Sequence, residues 1–99
     1  MPRNKCLRFI DNHPNCTFFK PAGIPIDKLN QIVIQLDEYE AIRLADLEGL
    51  YQEDAAKRMN ISRQTFGRII ESAHKKIADA LINGKAVKID GGNIETKES

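Results

Sequence analysis

Arg63, Gln64 and Arg68 fall within six residues of one another in the stretch SRQTFGRIIESAHKKI, residues 62–77. These are the side-chain types that bond to base edges: a guanidinium pairs bidentately with guanine, a carboxamide with adenine. At about 100° per residue, Gln64, Arg68, Glu71 and Lys75 share one side of a helix, with Arg63 and Thr65 exposed at its N-terminal end. The other side carries Phe66, Ile69, Ile70, Ala73, Ile77, Ala80 and Leu81, an apolar stripe that belongs in a core. Lys75 and Lys76, farther along, suit phosphate. With the hydroxyls of Ser62, Thr65 and Ser72, these polar residues form the candidate contacts to double-stranded DNA. Gly67 on the flank costs roughly 1 kcal/mol against alanine inside a helix, and a position without a side chain lets another surface approach.

A second group has the chemistry of a metal site. Cys6, His13 and Cys16 form a Cys-x6-His-x2-Cys pattern, and thiolate with imidazole suits zinc or iron. A closed site needs four ligands; His74 and Asp11 are the remaining candidates for the fourth. A filled site would make the chain metal- or redox-responsive. The alternative is two reduced thiols, a surface histidine and no cofactor. Catalysis is not expected. Asp37, Glu38 and Glu40 are explained as helix-start residues that complement the dipole, and neither a glycine-rich phosphate loop nor a nucleophile–histidine–acid pattern is visible.

The elements that must position these residues fit in one domain, since the chain has 99 residues, 41% of them hydrophobic and 29% charged. Residues 1–30 read as irregular, with short extended pieces at 6–10 and 17–20 and a proline-glycine loop at 20–25. Residues 32–36 are β-branched and favour a strand. Asp37 then reads as an N-cap with Glu40 completing the capping pair, opening a helix from 38 to about 48 that stops at Gly49. Its apolar residues form two stripes, Tyr39, Ile42 and Ala45 against Ala41, Leu44 and Leu47, as in a helix sandwiched between its neighbours and a second subunit. A second helix spans about 52–59. Asn60 suits a left-handed turn, and Ser62 caps a third helix running to about 83 before Gly84. Residues 85–90 alternate polar and apolar, a strand whose natural partner is 32–36. From Gly91 onward a polar tail is expected to lack structure.

Charge follows this division. Residues 31–55 hold one Lys/Arg against seven Asp/Glu, whereas residues 56–88 hold eight against two. An anionic partner for one face is therefore expected. No apolar run is long enough to span a membrane, and the basic start lacks the apolar segment of a secretory signal. The expected location is cytoplasmic.

The segment "LDEYEAIRLADLEGLYQEDAAKRMNISRQTFGRIIESAHKKIADAL", residues 36–81, resembles the fourth region of the bacterial sigma factors, with Leu-Glu-Gly at 47–49, Ala55-Ala56 and Ile61-Ser62-Arg63 at the expected spacing. Nearly the whole chain resembles a family of small, largely uncharacterised predicted DNA-binding proteins of bacteria and archaea. The likeness includes Met1-Pro2-Arg3, "FKPAGIP" at 19–25, "SRQTFGRI" at 62–69 and "NGKAVKIDGG" at 83–92. The resemblance implies a helix-turn-helix fold and transcriptional regulation, without a fixed target. One departure is Tyr51, where sigma-like sequences place a Ser or Thr cap worth about 1 kcal/mol.

The expected architecture is mainly α: a sigma-region-four-like three-helix unit at 36–83, with a small β-sheet from the N-terminal region, residues 32–36 and 85–90. Residues 1–90 form one DNA-binding domain, with 1–35 its irregular and β segment, followed by a flexible tail at 91–99. The expected function is sequence-specific DNA binding in transcription regulation, by a homodimer, with residues 62–82 as recognition helix. The alternative is an adaptor that contacts RNA polymerase through its acidic helix.

Overall fold

The computed structural model describes residues 7–92 and 94–96. Its strands are β1 (Arg8–Ile10), β2 (Phe18–Phe19), β3 (Gln31–Ile34), β4 (Ala86–Ile89) and β5 (Ile94–Thr96). Its helices are α1 (Leu36–Ile42), α2 (Gln52–Arg58) and α3 (Arg63–Asn83). The fold is about half helical, with a small sheet, as the composition of the elements leads one to expect.

The expected pairing of residues 32–36 with 85–90 is present as β3 with β4, parallel, Ile32 opposite Val87 and Ile34 opposite Ile89. Parallel strands need a long crossover, and all three helices supply it. β2, from the N-terminal region, joins β4 on its other edge in antiparallel sense.

The junction between β3 and α1 differs from the expectation. The backbone N–H of Leu36 donates to Gly91 O at 2.8 Å, which ends the strand early, and the helix starts at Leu36 instead of Glu38. Gln35 takes the cap position, its N–H donating to Glu38 Oε1 at 2.8 Å. Asp37 lies inside the first turn and accepts the N–H of Glu38 at 2.8 Å. Beyond Ile42 the helix widens into a π-helical stretch, Arg43–Leu47, closed by the N–H of Glu48 on Arg43 O at 2.9 Å. Gly49 ends it at φ +78°, as read.

The turn between α2 and α3 follows the sequence reading. Asn60 is left-handed at φ +60°, the N–H of Ile61 reaches back to Ala56 O at 3.0 Å, and Ser62 Oγ accepts from the N–H of Thr65 at 3.0 Å. Gly84 closes α3 at φ +66°. Tyr51 occupies the cap position of α2 without a side-chain bond to the helix.

The core joins Ala41 and Leu44 to Ala55, Ala56, Met59, Phe66, Ile69 and Ile70. The alanines let α2 approach its neighbours closely, because little volume stands between the backbones. The apolar stripe of α3 contributes Phe66, Ile69 and Ile70 to this core and stays buried at Ala73 and Ala80. Leu81, read as a core residue, is 77% exposed, because the last turn of α3 projects past the elements that could cover it.

The reading of residues 91–99 as an unstructured tail is corrected at 94–96. β5 pairs in parallel with β1, Arg8 opposite Ile94 and Ile10 opposite Thr96. Gly91 and Gly92 make the approach, at φ +79° and +107°. A Cβ on Gly92 would stand 3.2 Å from Gln35 Cβ and 3.3 Å from Asp37 Oδ1, so this glycine closes against the start of α1. Among the described residues no helix is long and apolar enough to cross a membrane.

Candidate nucleic-acid interface

α3 presents two unlike sides. Phe66, Ile69, Ile70 and Ala73 are buried, whereas Ser62, Arg63, Gln64, Arg68, Glu71 and Lys75 are exposed. Thr65 is half-buried and its hydroxyl accepts from Ser62 Oγ at 2.9 Å, so these two tie the cap together at the edge of the polar side. Arg63, Arg68 and Lys75 make no ion pair among the described residues, which leaves three cations pointing outward on one side of one helix.

The flanks of this side differ. On one, the start of α2 lies against α3: a Cβ on Gly67 would meet Gln52 Oε1 at 3.7 Å, ordinary contact, and His74 Nε2 pairs with Asp46 Oδ2 at 2.6 Å. On the other, an open cleft of about 320 Å³ is lined by Thr65, Arg68 and Ser72 of α3 together with Arg8, Gln35, Asp37 and Glu38.

Two expected contacts turn inward. Ser72 Oγ donates to Glu38 Oε2 at 2.7 Å. Lys76 Nζ donates to Glu38 Oε1 at 2.8 Å and to Val33 O at 2.9 Å. The lysine covers the outer edge of β3 and balances a carboxylate that is 5% exposed. Ser72 and Lys76 therefore stand apart from Arg63, Gln64, Arg68 and Lys75.

Asp37, Glu38 and Glu40 are all buried, and their role as helix-start residues describes only part of what they do. Arg8 Nε stands 3.7 Å from Asp37 Oδ2. Arg43 clasps Glu40 through Nε and Nη2, both at 2.9 Å, and the N–H of Asp11 donates to Glu40 Oε2 at 3.1 Å. Arg43 also pairs with Glu48 and Asp11, and Arg58 Nη2 reaches Asp11 Oδ2 at 2.7 Å. This network fastens the end of β1 to α1 and α2, helped by the N–H of Phe9 on Met59 O at 3.0 Å. Burial pushes the Asp37 carboxyl up, outweighing the Glu38 N–H and Arg8. At Asp11 burial acts in the same sense, but Arg58 and Arg43 together hold its carboxyl below the ordinary value. The hydrogen bonds that Arg43 donates to Glu40 raise its guanidinium above its own ordinary value. The sequence signal for this network was the acidic block 31–55 lying between two basic ones, which marks internal pairing as much as a surface field.

The metal pattern is not assembled among the described residues. Cys6 lies outside them. His13 and Cys16 are exposed between β1 and β2, Asp11 is bound to two arginines, and His74 of α3 is paired with Asp46. Among the described residues no three His, Cys, Asp or Glu side chains gather as a metal site.

Residues 1–97 match the family model described as "Protein of unknown function DUF134". The UPF0251 protein of Prosthecochloris aestuarii is 55% identical over 96 residues, covering 97% of this chain and 62% of its own length. Its counterpart in Caldanaerobacter subterraneus subsp. tengcongensis is 55% identical over 93 residues, covering 94% of this chain and 79% of its own. One from Thermoanaerobacter sp. is 51% identical over 98 residues, covering 99% and 87%. The chain thus spans under two thirds of the first relative and most of the other two. No solved structure matches it.

Proposed function

The chain belongs to the DUF134 family, the UPF0251 proteins, and from that premise we propose that it binds double-stranded DNA sequence-specifically and regulates transcription. α2, the turn at 59–62 and α3 act as a helix-turn-helix of the sigma-region-four kind. α3 enters the major groove by its N-terminal half, and α2 lies across the backbone. The observation that carries this reading is the exposure of Arg63, Gln64 and Arg68 at the start of α3 while Phe66, Ile69 and Ile70 on the same turns are buried. A helix about 10–12 Å across fits a groove about 12 Å wide, and the packed side fixes which residues meet the bases.

Electrostatics support it. Acidic side chains near a DNA face oppose phosphate, but Asp37, Glu38 and Glu40 point inward onto basic partners. The same inward turn removes three carboxylates from the acidic surface on which the adaptor reading depended.

The test is selection of bound fragments from a random duplex pool, followed by affinity measurement on the enriched sequence at two salt concentrations. The expected result is one enriched motif whose binding weakens steeply with salt. Failure to retain any duplex at about 50 mM salt, where phosphate contacts are strong, overturns the reading.

A further inference from the structure

α1 carries one large side chain that the core does not use. Tyr39 is half-buried, yet the cluster around Leu44, Met59 and Phe66 does not include it. With Asn12, His13, Asn15 and Arg43 it lines a cavity of about 460 Å³, where the chain between β1 and β2 meets α1 and the π-helical stretch. Small-molecule sites measure about 300–1,000 Å³, so the space is adequate. The cavity shares no lining residue with the cleft beside Arg68, and none of its five residues belongs to α3.

Two features mark it as more than a gap between a loop and a helix. Arg43 opens the π-helical stretch that ends at Leu47, and such widened turns recur at functional sites. Among the described residues, neither the Tyr39 hydroxyl nor the Asn15 carboxamide has a hydrogen-bond partner. Both groups are left for an occupant.

The lining selects what that occupant is. Arg43 binds Glu40 through Nε and Nη2 and pairs with Glu48 and Asp11, while Arg58 also holds Asp11. Two guanidiniums thus stand among three carboxylates, and no surplus positive charge greets a phosphate or a carboxylate. What remains is uncharged. Asn12 and Asn15 each bring donors and an acceptor, the phenol does both, and the rings of Tyr39 and His13 suit a flat molecule. A carboxamide pairs bidentately with a heterocycle that sets a donor beside an acceptor, as adenine does.

We propose that this cavity binds an uncharged planar heterocycle of the nucleobase kind, carried by a nucleoside, with the ring on Tyr39 and the polar edge on Asn15. The site goes beyond DNA binding and stands or falls without it.

The experiment is calorimetric titration of the full chain with adenosine, guanosine, cytidine and uridine, and with their 5′-monophosphates. Wild type should bind at least one nucleoside with a Kd below about 1 mM. Tyr39→Leu should weaken it about 5- to 150-fold, the range that loss of a base–aromatic stack produces. Tyr39→Phe, which keeps the ring, should stay closer to wild type. Asn15→Ala should weaken binding and blunt the discrimination among bases. Circular dichroism establishes that each variant is folded; Asn15 is exposed in a loop, so Asn15→Ala decides the matter if Tyr39→Leu does not fold. Wild type that binds none of the four nucleosides at about 1 mM overturns the proposal. So does unchanged binding in either folded variant, which would put the nucleoside elsewhere. A monophosphate held more than about tenfold tighter than its nucleoside also overturns it, because the site would then be reading phosphate.

Discussion

Arg68 and Lys75 stand about two turns apart on the exposed side of α3, and one substitution at each separates reading from holding. Arg68→Ala should cost about 1–3 kcal/mol on the selected duplex and relax the preference at one or two base pairs. Lys75→Ala should weaken selected and random duplexes alike and lower the salt slope by about one. Fluorescence anisotropy at two salt concentrations measures both; variants that bind like wild type would make α3 a packing element. These side chains were legible because type, helical spacing and exposure all follow from local sequence. Glu38 was not legible, since its partners Ser72 and Lys76 lie 34 and 38 residues away and no local pattern names them. Asp11, 29 residues from Glu40 and 47 from Arg58, escaped for the same reason. Its depressed pKa has a consequence in acid. A carboxyl lowered by folding adds stability above its ordinary value of 3.8 and loses it as pH falls through the folded value. Asp11→Asn should therefore be less stable than wild type near neutral pH, with the difference shrinking below about pH 4, as read by urea midpoints across pH. Asp37, raised by burial, acts in the opposite sense, adding stability in acid that fades as pH rises through its folded value.

At the scale of elements, α2, its turn and α3 were readable from periodicity, the Ser62 cap, and the Asn60 and Gly84 positions. The start of α1 was not, because Gly91 carbonyl binding at Leu36 decides it from 55 residues away. β5 gave no signal either, as Ile-Glu-Thr is too short and too polar to announce a strand, and pairing with β1 alone defines it. Two glycines sort the devices of the fold. Gly67 has helical backbone, and a Cβ there would find only Gln52 Oε1 at 3.7 Å. Gly67→Ala should raise stability by about 0.5–1 kcal/mol. Gly92 has φ +107° and a Cβ there would press on Gln35 Cβ at 3.2 Å, so Gly92→Ala should lower it by about 1–3 kcal/mol. Urea unfolding of both variants decides the matter; a neutral Gly92→Ala would mean that the glycine pair is not a closure against α1.

The described residues span 40 × 34 × 27 Å, and on the DNA-binding proposal two copies would set their α3 helices on half-sites about 34 Å apart. The reason for expecting a homodimer shifts with the structure. Of the two stripes on the first helix, Ala41 and Leu44 are in the core and Leu47 alone stands well out, at 80% exposed. The unpaired apolar residues at the far end of α3 are Leu81 and Ile82, 77% and 81% exposed. Light scattering should give a dimer at micromolar concentration, and Leu81→Lys/Ile82→Lys should give a folded monomer whose thermal midpoint is lower and no longer depends on concentration. A wild-type monomer with and without DNA would overturn the expected homodimer. The pairing of β1 with β5 bears on how the molecule comes into being. Arg8 is matched with Ile94, so synthesis must run past residue 94 before that strand finds its partner. A ribosome adds about 5–20 residues per second, whereas a helix forms in about a microsecond. The core between residues 41 and 70 can thus settle while the nascent chain is still growing, with β1 already held through Asp11 and Phe9, and the pairing of β1 with β5 is added only afterwards.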